Sequence, residues 1–434
     1  MKKISTELWP LFWTQFFGAI NDNIFKNALV LMITYQGISL FGFNSSALVA
    51  LSGGVFILPF FFFSGTSGQF ADRFEKTTLV KIIKKIEILI SILAVIGLYL
   101  KNYPLLLFVL FLFGLHSTFF GPLKYSLIPS FAKKENLVIS NALISSGTFI
   151  AILLGTILGG LSASGEKSVW ILKFFLVLFS TLGLYSANKM KTQDHDEVQA
   201  RSVAIDWNFW TSSRDILKLV FKNKMIGILV IGLSWFWFLG AGLLSLLPLI
   251  SKDIFHGNEQ VATMMLFVFT TGMGLGPFIL ERITNGRVYR SLIPLSLMAM
   301  SFFIFDISHV LKIVENKNIF NSEIVNINEF FQLGLSSRMI IDLFLLALCG
   351  GFFTVPQFAE LQRITSGLEL SRIIAGNNIV NALAMVCVSI LLMILLQQKL
   401  SLGNIFGILG VCNLAMSFGL ILFYRFEFNK FWRF

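Results

Sequence analysis

The sequence predicts an all-α membrane protein whose twelve transmembrane helices form two six-helix halves. Two observations support this prediction, the composition and the length of the apolar runs. Of the 434 residues, 56% are hydrophobic and only 13% are charged, whereas soluble domains carry about 25% charged residues. The apolar runs are about 20 to 27 residues long, which is the length a helix needs to cross a hydrocarbon core of about 30 Å.

Twelve apolar segments are long enough to cross the membrane. We place them at 9–36, 46–70, 78–100, 104–128, 137–163, 168–187, 225–250, 259–281, 288–312, 337–360, 372–397 and 402–424. Segment 188–224 is too polar to span and separates two sets of six. We interpret it as a cytoplasmic linker between an amino-terminal half, 1–187, and a carboxy-terminal half, 225–434, with an interfacial stretch around Trp207 to Trp210. Segment 313–336 is predicted to be an outside loop.

The net charge of +11 is sorted by loop. Most lysines and arginines fall in segments on the same side as the amino terminus, including Lys2, Lys3 and the cluster Lys81, Lys84 and Lys85. This asymmetry is the positive-inside rule, so both termini are expected in the cytoplasm. A nucleic-acid partner is therefore not expected, although a strongly basic chain would otherwise suggest one.

The two halves resemble repeats of each other. A phenylalanine-rich string ending in Pro122 precedes Asn141 by 19 residues, and a similar string ending in Pro356 precedes Asn377 by 21 residues. The offset between the copies, 234 to 236 residues, is close to half of the chain. Two such repeats are typical of secondary transporters, in which one half moves against the other. A structural membrane protein is the alternative.

A string between the second and third spans places Gly68, Asp72 and Arg73 in the order G-x-x-x-D-R. It resembles the signature of the major facilitator superfamily, with Glu75 where that signature usually has its second glycine. Gly68 would let two helices approach closely, and Asp72 with Arg73 would form a cytoplasmic charge latch that breaks when the halves tilt. A degraded copy, Glu281-Arg282, recurs between spans eight and nine. Solvated charges at a helix end are the alternative interpretation.

The first span contains a polar cluster made of Asn21, Asp22, Asn23 and Lys26. An ionised side chain at membrane depth costs on the order of 3 kcal/mol, so Asp22 should be paired or should line a wet cavity. Lys26 lies four residues later and therefore on the same helix face. An internal pair that only neutralises the helix is the alternative, but the two asparagines add more polarity than such a pair requires.

The fourth span carries Lys124 and Tyr125 near its inner end, where Lys124 either snorkels to the interface or faces a cavity. Together with Gln15-Phe16, Asp22-Asn23 and the pair Ser140-Asn141, this string resembles the bacterial lysophospholipid transporter branch of the major facilitator superfamily. The likeness covers the amino-terminal half well and the other half mainly by topology.

The resemblance implies a transporter of the bacterial cytoplasmic membrane. Its cargo would be lysophospholipid, chiefly lysophosphatidylethanolamine, moved from the outer to the inner leaflet, where an acyltransferase or acyl carrier protein ligase system restores the second chain. Asp22 would bind the ammonium of the head group, and Lys124 would bind the phosphate. Span seven lacks the basic residue expected for this family, so Arg338 is a candidate second cation. The alternative for Arg338 is an ion pair with Asp342, one turn away.

Three other polar residues in the spans allow further interpretations. Asp306 and His309 are expected to form a structural pair or, less simply, a proton relay. His116 is expected to be a satisfied polar residue of the core. A proton-coupled exporter of drugs or siderophores, with Asp22, Asp306 or Asp342 as proton carrier, is the second function considered, and a scaffold for an acyltransferase is the third.

Enzyme signatures do not appear in the sequence. None of the four histidines is followed five residues later by aspartate, the spacing that acyltransferases use, and the phosphate loop G-x4-G-K-[ST] is absent. We therefore expect a transporter without catalytic activity, bound cofactor or metal, and we expect it to be a monomer.

Overall fold

A computed structural model describes residues 5–36, 38–40, 42, 45–162, 166–192, 205–206, 208–317, 325–332, 334–365 and 369–427. Within these ranges the chain forms fourteen α-helices. They are α1 Leu8–Tyr35, α2 Ser45–Arg73, α3 Lys76–Tyr99, α4 Tyr103–Phe131, α5 Leu137–Ser162, α6 Glu166–Asn188, α7 Phe209–Lys222, α8 Lys224–Leu249, α9 Glu259–Thr284, α10 Leu292–Lys317, α11 Ile327–Gln332, α12 Gly334–Ile364, α13 Leu370–Gln397 and α14 Leu402–Glu427. Helices α7 and α11 are short, and the other twelve begin and end within five residues of the predicted spans.

Ten helices in the described part of the chain are long and apolar enough to cross a membrane. The all-helical membrane fold predicted from the sequence is therefore confirmed. Helices α1 and α3 are also long, with 28 and 24 residues, but both carry several charged or amide side chains. For these two helices, and thus for the total of twelve, membrane spanning stays a prediction.

The predicted outside loop 313–336 is more helical than expected. Helix α10 continues to Lys317, and α11 begins at Ile327. Asn326 accepts hydrogen bonds from the backbone amides of Asn328 and Glu329, while the Glu329 carboxylate accepts one from the Asn326 amide. This reciprocal capping box explains why a helix starts here, and its N-x-x-E spacing was readable in the sequence. Residues 318–324 of the predicted loop lie outside the described residues.

The chain divides into two compact units. The first unit contains Met1–Gly227 and Leu361–Ala382, and the second contains Ile228–Glu360 and Leu383–Phe434. The carboxy-terminal part of α12 and the first half of α13 thus pack with the amino-terminal helices. This packing does not test the predicted halves 1–187 and 225–434, which stay a prediction.

Helix α7 lies in the predicted linker, and Trp207, just before it, lies outside the described residues. The side chain of Asn208 caps α7 by accepting a hydrogen bond from the Trp210 amide. One face of the helix is buried against α2 and α13: Gln69 donates to the Ser212 hydroxyl at 3.2 Å, and Val220 packs against Gly376. The opposite face is exposed and basic, so α7 is amphipathic.

Helix α1 is the central helix of the first unit. Helix α5 approaches it so closely at Gly155 that a Cβ atom there would lie 2.8 Å from the Ile20 carbonyl oxygen. One turn further along α1, the apolar side chains of Ile24 and Phe25 are buried against α4 and α5. Small residues at membrane helix interfaces allow this backbone proximity. The close packing fixes the rotation of α1 and hence the direction of its polar side chains.

Candidate functional site

Three consecutive polar residues of α1 point to three different helices. Successive residues of an α-helix are rotated by about 100°, so neighbours cannot share a face. Asn21 donates hydrogen bonds to Glu87 and Ser91 of α3, both at 3.1 Å. Asp22 accepts a hydrogen bond from the Ser117 hydroxyl of α4, and Asn23 packs against Gly155 of α5. The polar cluster therefore joins α1 to α3, α4 and α5 at one level.

Asp22 is buried but not saturated with hydrogen bonds. Its Oδ2 atom is bonded to Ser117, while Oδ1 has no hydrogen-bond partner among the described residues. Lys26, one turn away, lies with its Nζ atom 5.5 Å from the centre of the Phe56 ring. No direct hydrogen bond or ion pair joins Asp22 to Lys26 in the described part of the chain. The alternative interpretation, a direct ion pair between Asp22 and Lys26, is therefore not what the structure shows.

Lys124 of α4 lies within electrostatic range of Asp22. Its Nζ atom is 4.7 Å from the centre of the Tyr125 ring. Tyr125 is held by two contacts, since its carbonyl accepts a hydrogen bond from Gln362 at 3.1 Å and its side chain bonds to Ser145. Asp22 of α1 and Lys124 of α4 thus interact electrostatically within the first unit, without a direct hydrogen bond between them among the described residues.

A buried ion cluster next to this pair was missed by the sequence analysis. Lys84 donates to Glu87 Oε2 at 2.6 Å, and His116 Nε2 lies 3.2 Å from the same oxygen. The side chains of Lys84 and Glu87 are 0% exposed. Lys84 thus points into the helix packing and not to water, while its predicted place on the inside of the membrane stays a prediction. His116 is buried, as expected, and the carboxylate beside it connects through Asn21 to α1.

The sequence did contain a signal for this cluster. On α3, Lys84 and Glu87 share a face with Val80, Ser91 and Ala94, which are small or polar and buried. The opposite face carries bulky exposed residues, Ile82, Ile86, Leu89 and Ile96. In a membrane helix, large apolar side chains face lipid and polar side chains face protein, so the polar stripe is the buried one. The net charge of the segment does not show this periodicity, because it does not distinguish the two faces of the helix.

A second pair of charges lies at the end of α2. Asp72 accepts a hydrogen bond from Arg372 Nε of α13 at 2.6 Å, and the aspartate side chain is almost completely buried. Gly68 allows this approach, since a Cβ atom there would lie 2.7 Å from that of Ala375. Arg73 is exposed. The loop residue Glu75 caps α3 through the amides of Thr77 and Thr78, which accounts for its place in the degenerate signature.

The charged residues of the second unit form separate local pairs. Arg338 donates two hydrogen bonds to Asp306 of α10, one of them at 2.8 Å. The expected direct pairs of Asp306 with His309 and of Arg338 with Asp342 are thus replaced by this bidentate contact, although Asp342 is adjacent to both partners. A further pair, between Arg290 and the buried Glu360, joins the start of α10 to α12.

The first unit therefore offers the better-formed binding chemistry. A carboxylate oxygen without a hydrogen bond can accept from an ammonium group, and a lysine nearby can bind an anion. A zwitterion carries one group of each kind and therefore suits such a pair of residues. Asn21 and Asn23 serve mainly as contacts between helices, and Arg338 lies in the other unit.

The fold and the site can be compared with known proteins. A family model described as Major Facilitator Superfamily matches residues 11–314. The chain is 23% identical to the lysophospholipid transporter LplT of Photorhabdus laumondii, over 68% of this chain and 71% of that protein. It is 21% identical to the protein of the same name from Yersinia pestis, over 83% and 79%. The crystal structure of the human organic anion transporter MFSD10 covers 94% of this chain and 99% of its own, with a TM-score of 0.71 at 13% identity.

Proposed function

This chain belongs to the major facilitator superfamily, and we propose that it moves lysophospholipids from the outer to the inner leaflet of a bacterial cytoplasmic membrane. It is a multi-pass membrane transporter. Lysophosphatidylethanolamine is the cargo that we propose first. The names of the two curated relatives support this cargo, at identities of 21% and 23%. The observation that carries the proposal is the buried Asp22, whose Oδ1 atom has no hydrogen-bond partner among the described residues, with Lys124 of α4 in its electrostatic range.

The head group of lysophosphatidylethanolamine has an ammonium and a phosphate. In the proposal, Asp22 Oδ1 accepts a hydrogen bond from the ammonium, and Lys124 binds the phosphate. Charge-assisted hydrogen bonds of this type are roughly twice as strong as neutral ones. A zwitterion leaves the net charge of the site unchanged, which favours its burial over that of a singly charged molecule. The other predicted binding residues have secondary roles: Asn21, Asn23, Lys26, Tyr125 and Arg338.

We further propose that Asp72 and Arg372, with Gly68 between their helices, act as the conformational latch. Arg73 then contributes charge to the membrane surface and not to the latch contact itself. Breaking a hydrogen bond to a buried carboxylate costs energy, so the pair would stabilise one state of the transport cycle. In this proposal both termini and the linker 188–224 face the cytoplasm, the protein is a monomer, and an acyltransferase system consumes the delivered lipid.

Uptake measurements in proteoliposomes test the site. We expect the double variant Asp22→Asn, Lys124→Gln to lose most transfer of labelled lysophosphatidylethanolamine into the inner leaflet. The matched control is Lys218→Gln, which removes an exposed charge from α7 and should retain transfer. Size-exclusion profiles and thermal unfolding establish that each variant is folded. Unchanged transfer by a folded double variant would disprove the assignment of the site.

A proton-coupled exporter on the same fold is the second candidate, and one observation favours it. His116 and Glu87 lie 3.2 Å apart in a spanning region, where ionisable pairs often carry protons in transporters. This function predicts that cargo accumulates in vesicles only while a proton gradient exists and that an uncoupler abolishes it. Lipid transfer that persists with the uncoupler would favour the first candidate.

A further inference from the structure

An apolar cavity of about 500 Å³ lies between α2, α3 and α4 of the first unit. Leucine, isoleucine and phenylalanine side chains form nearly all of its wall, and Ser67 and His116 are the polar residues that line it. Cavities of roughly 300 to 1,000 Å³ are the usual size for lipid-sized or drug-sized ligands. The cavity is separate from Asp22 and Lys124, neither of which lines it.

The cavity opens on the exposed, apolar side of α3, which we expect to face the membrane. Ile82 and Ile86, on its rim, are each 46% exposed, and Leu89 is 65% exposed. In a spanning helix, side chains exposed in this way are in contact with lipid hydrocarbon. The molecules that reach the opening are therefore acyl chains, and each buried methylene group contributes about 0.8 kcal/mol.

The end of the cavity near Phe70 and Leu79 lies beside a basic segment. Residues 72–85 contain five basic residues and two acidic ones, and one of the basic residues, Lys84, is buried against Glu87. Asp72 is bound to Arg372, and Glu75 caps α3, so both carboxylates are already engaged. Lys85 is exposed on α3 next to the rim residue Ile86, and Lys81 is partly exposed one turn earlier. Lysines next to a spanning helix attract anionic lipid head groups by roughly 1 kcal/mol each.

We propose that this cavity is a binding site for one acyl chain of an anionic phospholipid, whose phosphate is held by Lys81 and Lys85. The lipid belongs to the leaflet on the side of the α2–α3 loop. Its chain covers His116 and keeps water away from Glu87 and Lys84, whose attraction is stronger in a dry surrounding. The site does not depend on the cargo of the transporter, because its residues are distinct from Asp22 and Lys124.

Photocrosslinking in a membrane tests this site directly. The full chain is placed in vesicles of phosphatidylethanolamine and phosphatidylglycerol that contain phosphatidylglycerol with a diazirine in its acyl chain. After illumination, mass spectrometry locates the labelled peptides. We expect labels to concentrate on α3 and α4 residues of the cavity, such as Leu112 and Leu115. Labels spread evenly over all lipid-facing helices would overturn the proposal.

Two variants on the same helix supply the matched comparison. Ile86→Trp fills the mouth of the cavity, whereas Ile96→Trp changes a residue of similar exposure, 43%, that does not line it. We expect several-fold less cavity labelling for Ile86→Trp and no change for Ile96→Trp. Equal labelling of both variants, with both shown to be folded, would also overturn the chain site.

The role of the lysines has its own comparison. In the double variant Lys81→Gln, Lys85→Gln, labelling by the phosphatidylglycerol probe should fall several-fold, towards the level given by a phosphatidylcholine probe with the same chain. A double variant that labels as strongly as the native chain would refute the choice of an anionic lipid. Transport assays are not needed for any of these outcomes, so they remain distinct from a failure of the proposed cargo.

Discussion

The ion cluster of the first compact unit and the Arg338–Asp306 pair of the second differ in burial. In the first unit, Lys84 and Glu87 are completely buried and are linked through Asn21 to the helix that carries Asp22. In the second unit, Arg338 is 49% exposed and makes a local pair with Asp306. A charge that is buried and shared among three helices constrains their relative positions, whereas a half-exposed pair constrains two side chains. The helices next to the proposed binding site are therefore the more strongly constrained ones.

The largest expected effect comes from breaking the ion cluster of the first unit. Glu87→Leu leaves Lys84 buried without its anion, which should destabilise the protein by about 3 to 5 kcal/mol. The double variant Lys84→Met, Glu87→Leu removes both charges and should recover most of that stability. Thermal unfolding in detergent measures both, with Lys85→Met as the exposed control. The comparison would fail if the single variant were as stable as the double.

A smaller effect is expected at the proposed latch. Arg372→Gln removes the partner of a buried carboxylate and should shift the conformational equilibrium on the order of tenfold, or about 1.4 kcal/mol. Ser371→Cys, in a background without the native cysteines, reports this shift as faster labelling by a maleimide. Lys218→Gln on α7 serves as control. If Arg372→Gln were labelled at the native rate, the result would count against the latch. The exchange variant Asp72→Arg, Arg372→Asp restores an ion pair and should be labelled more slowly than Arg372→Gln.

In the second unit the corresponding change should matter less. Arg338→Gln disrupts a pair that is partly exposed, so the loss of stability should be about 1 kcal/mol or less. The same thermal unfolding assay measures it, and Arg338→Gln, Asp306→Asn is the matched double variant. A loss as large as that of Glu87→Leu would show that the two units are not different in this respect.

The smallest effect is a dependence on pH at the start of α7. The Thr211 hydroxyl and the Asn208 amide donate hydrogen bonds to Asp206, which lowers the pKa of this carboxyl below its usual value of 3.8. A lowered pKa means that the ionised form stabilises the folded state at neutral pH and that this stabilisation is lost as the pH falls through the folded pKa. After correction for the intrinsic pH dependence of amide exchange, the protection of α7 should therefore fall below about pH 4. Asp206→Asn should remove this dependence, and an unchanged profile would contradict it.

Much of the fold could be predicted from the sequence, but the packing of the site could not. The apolar runs located twelve helices because lipid imposes their length and composition directly. The polar character of Asn21, Asp22 and Asn23 was also visible, yet their three separate partners depend on how α1 is rotated. The contact of Asp72 with Arg372 joins residues 300 positions apart, so no local pattern could reveal it.

Lys84 shows how a sequence pattern can mislead. It lies between two other lysines near the end of a predicted span, and such clusters usually contact head groups. Only the helical periodicity separates it from Lys85, which is exposed. The neighbours on α1 and α4 decide its environment, and these come from distant parts of the sequence.

The hydrogen bonds between Asn21 and α3 also bear on how the protein is made. Helices α1 and α3 are the two long helices that are not among the ten apolar ones, and on translocon scales a lysine at the centre of a span costs about 2.5 to 3.5 kcal/mol. Helix α1 is synthesised before α3, and its Asn21 side chain donates hydrogen bonds to Glu87 and Ser91 of α3. We expect the bilayer insertion of α3 to depend on the presence of α1, because α1 supplies a partner for buried polar side chains of α3.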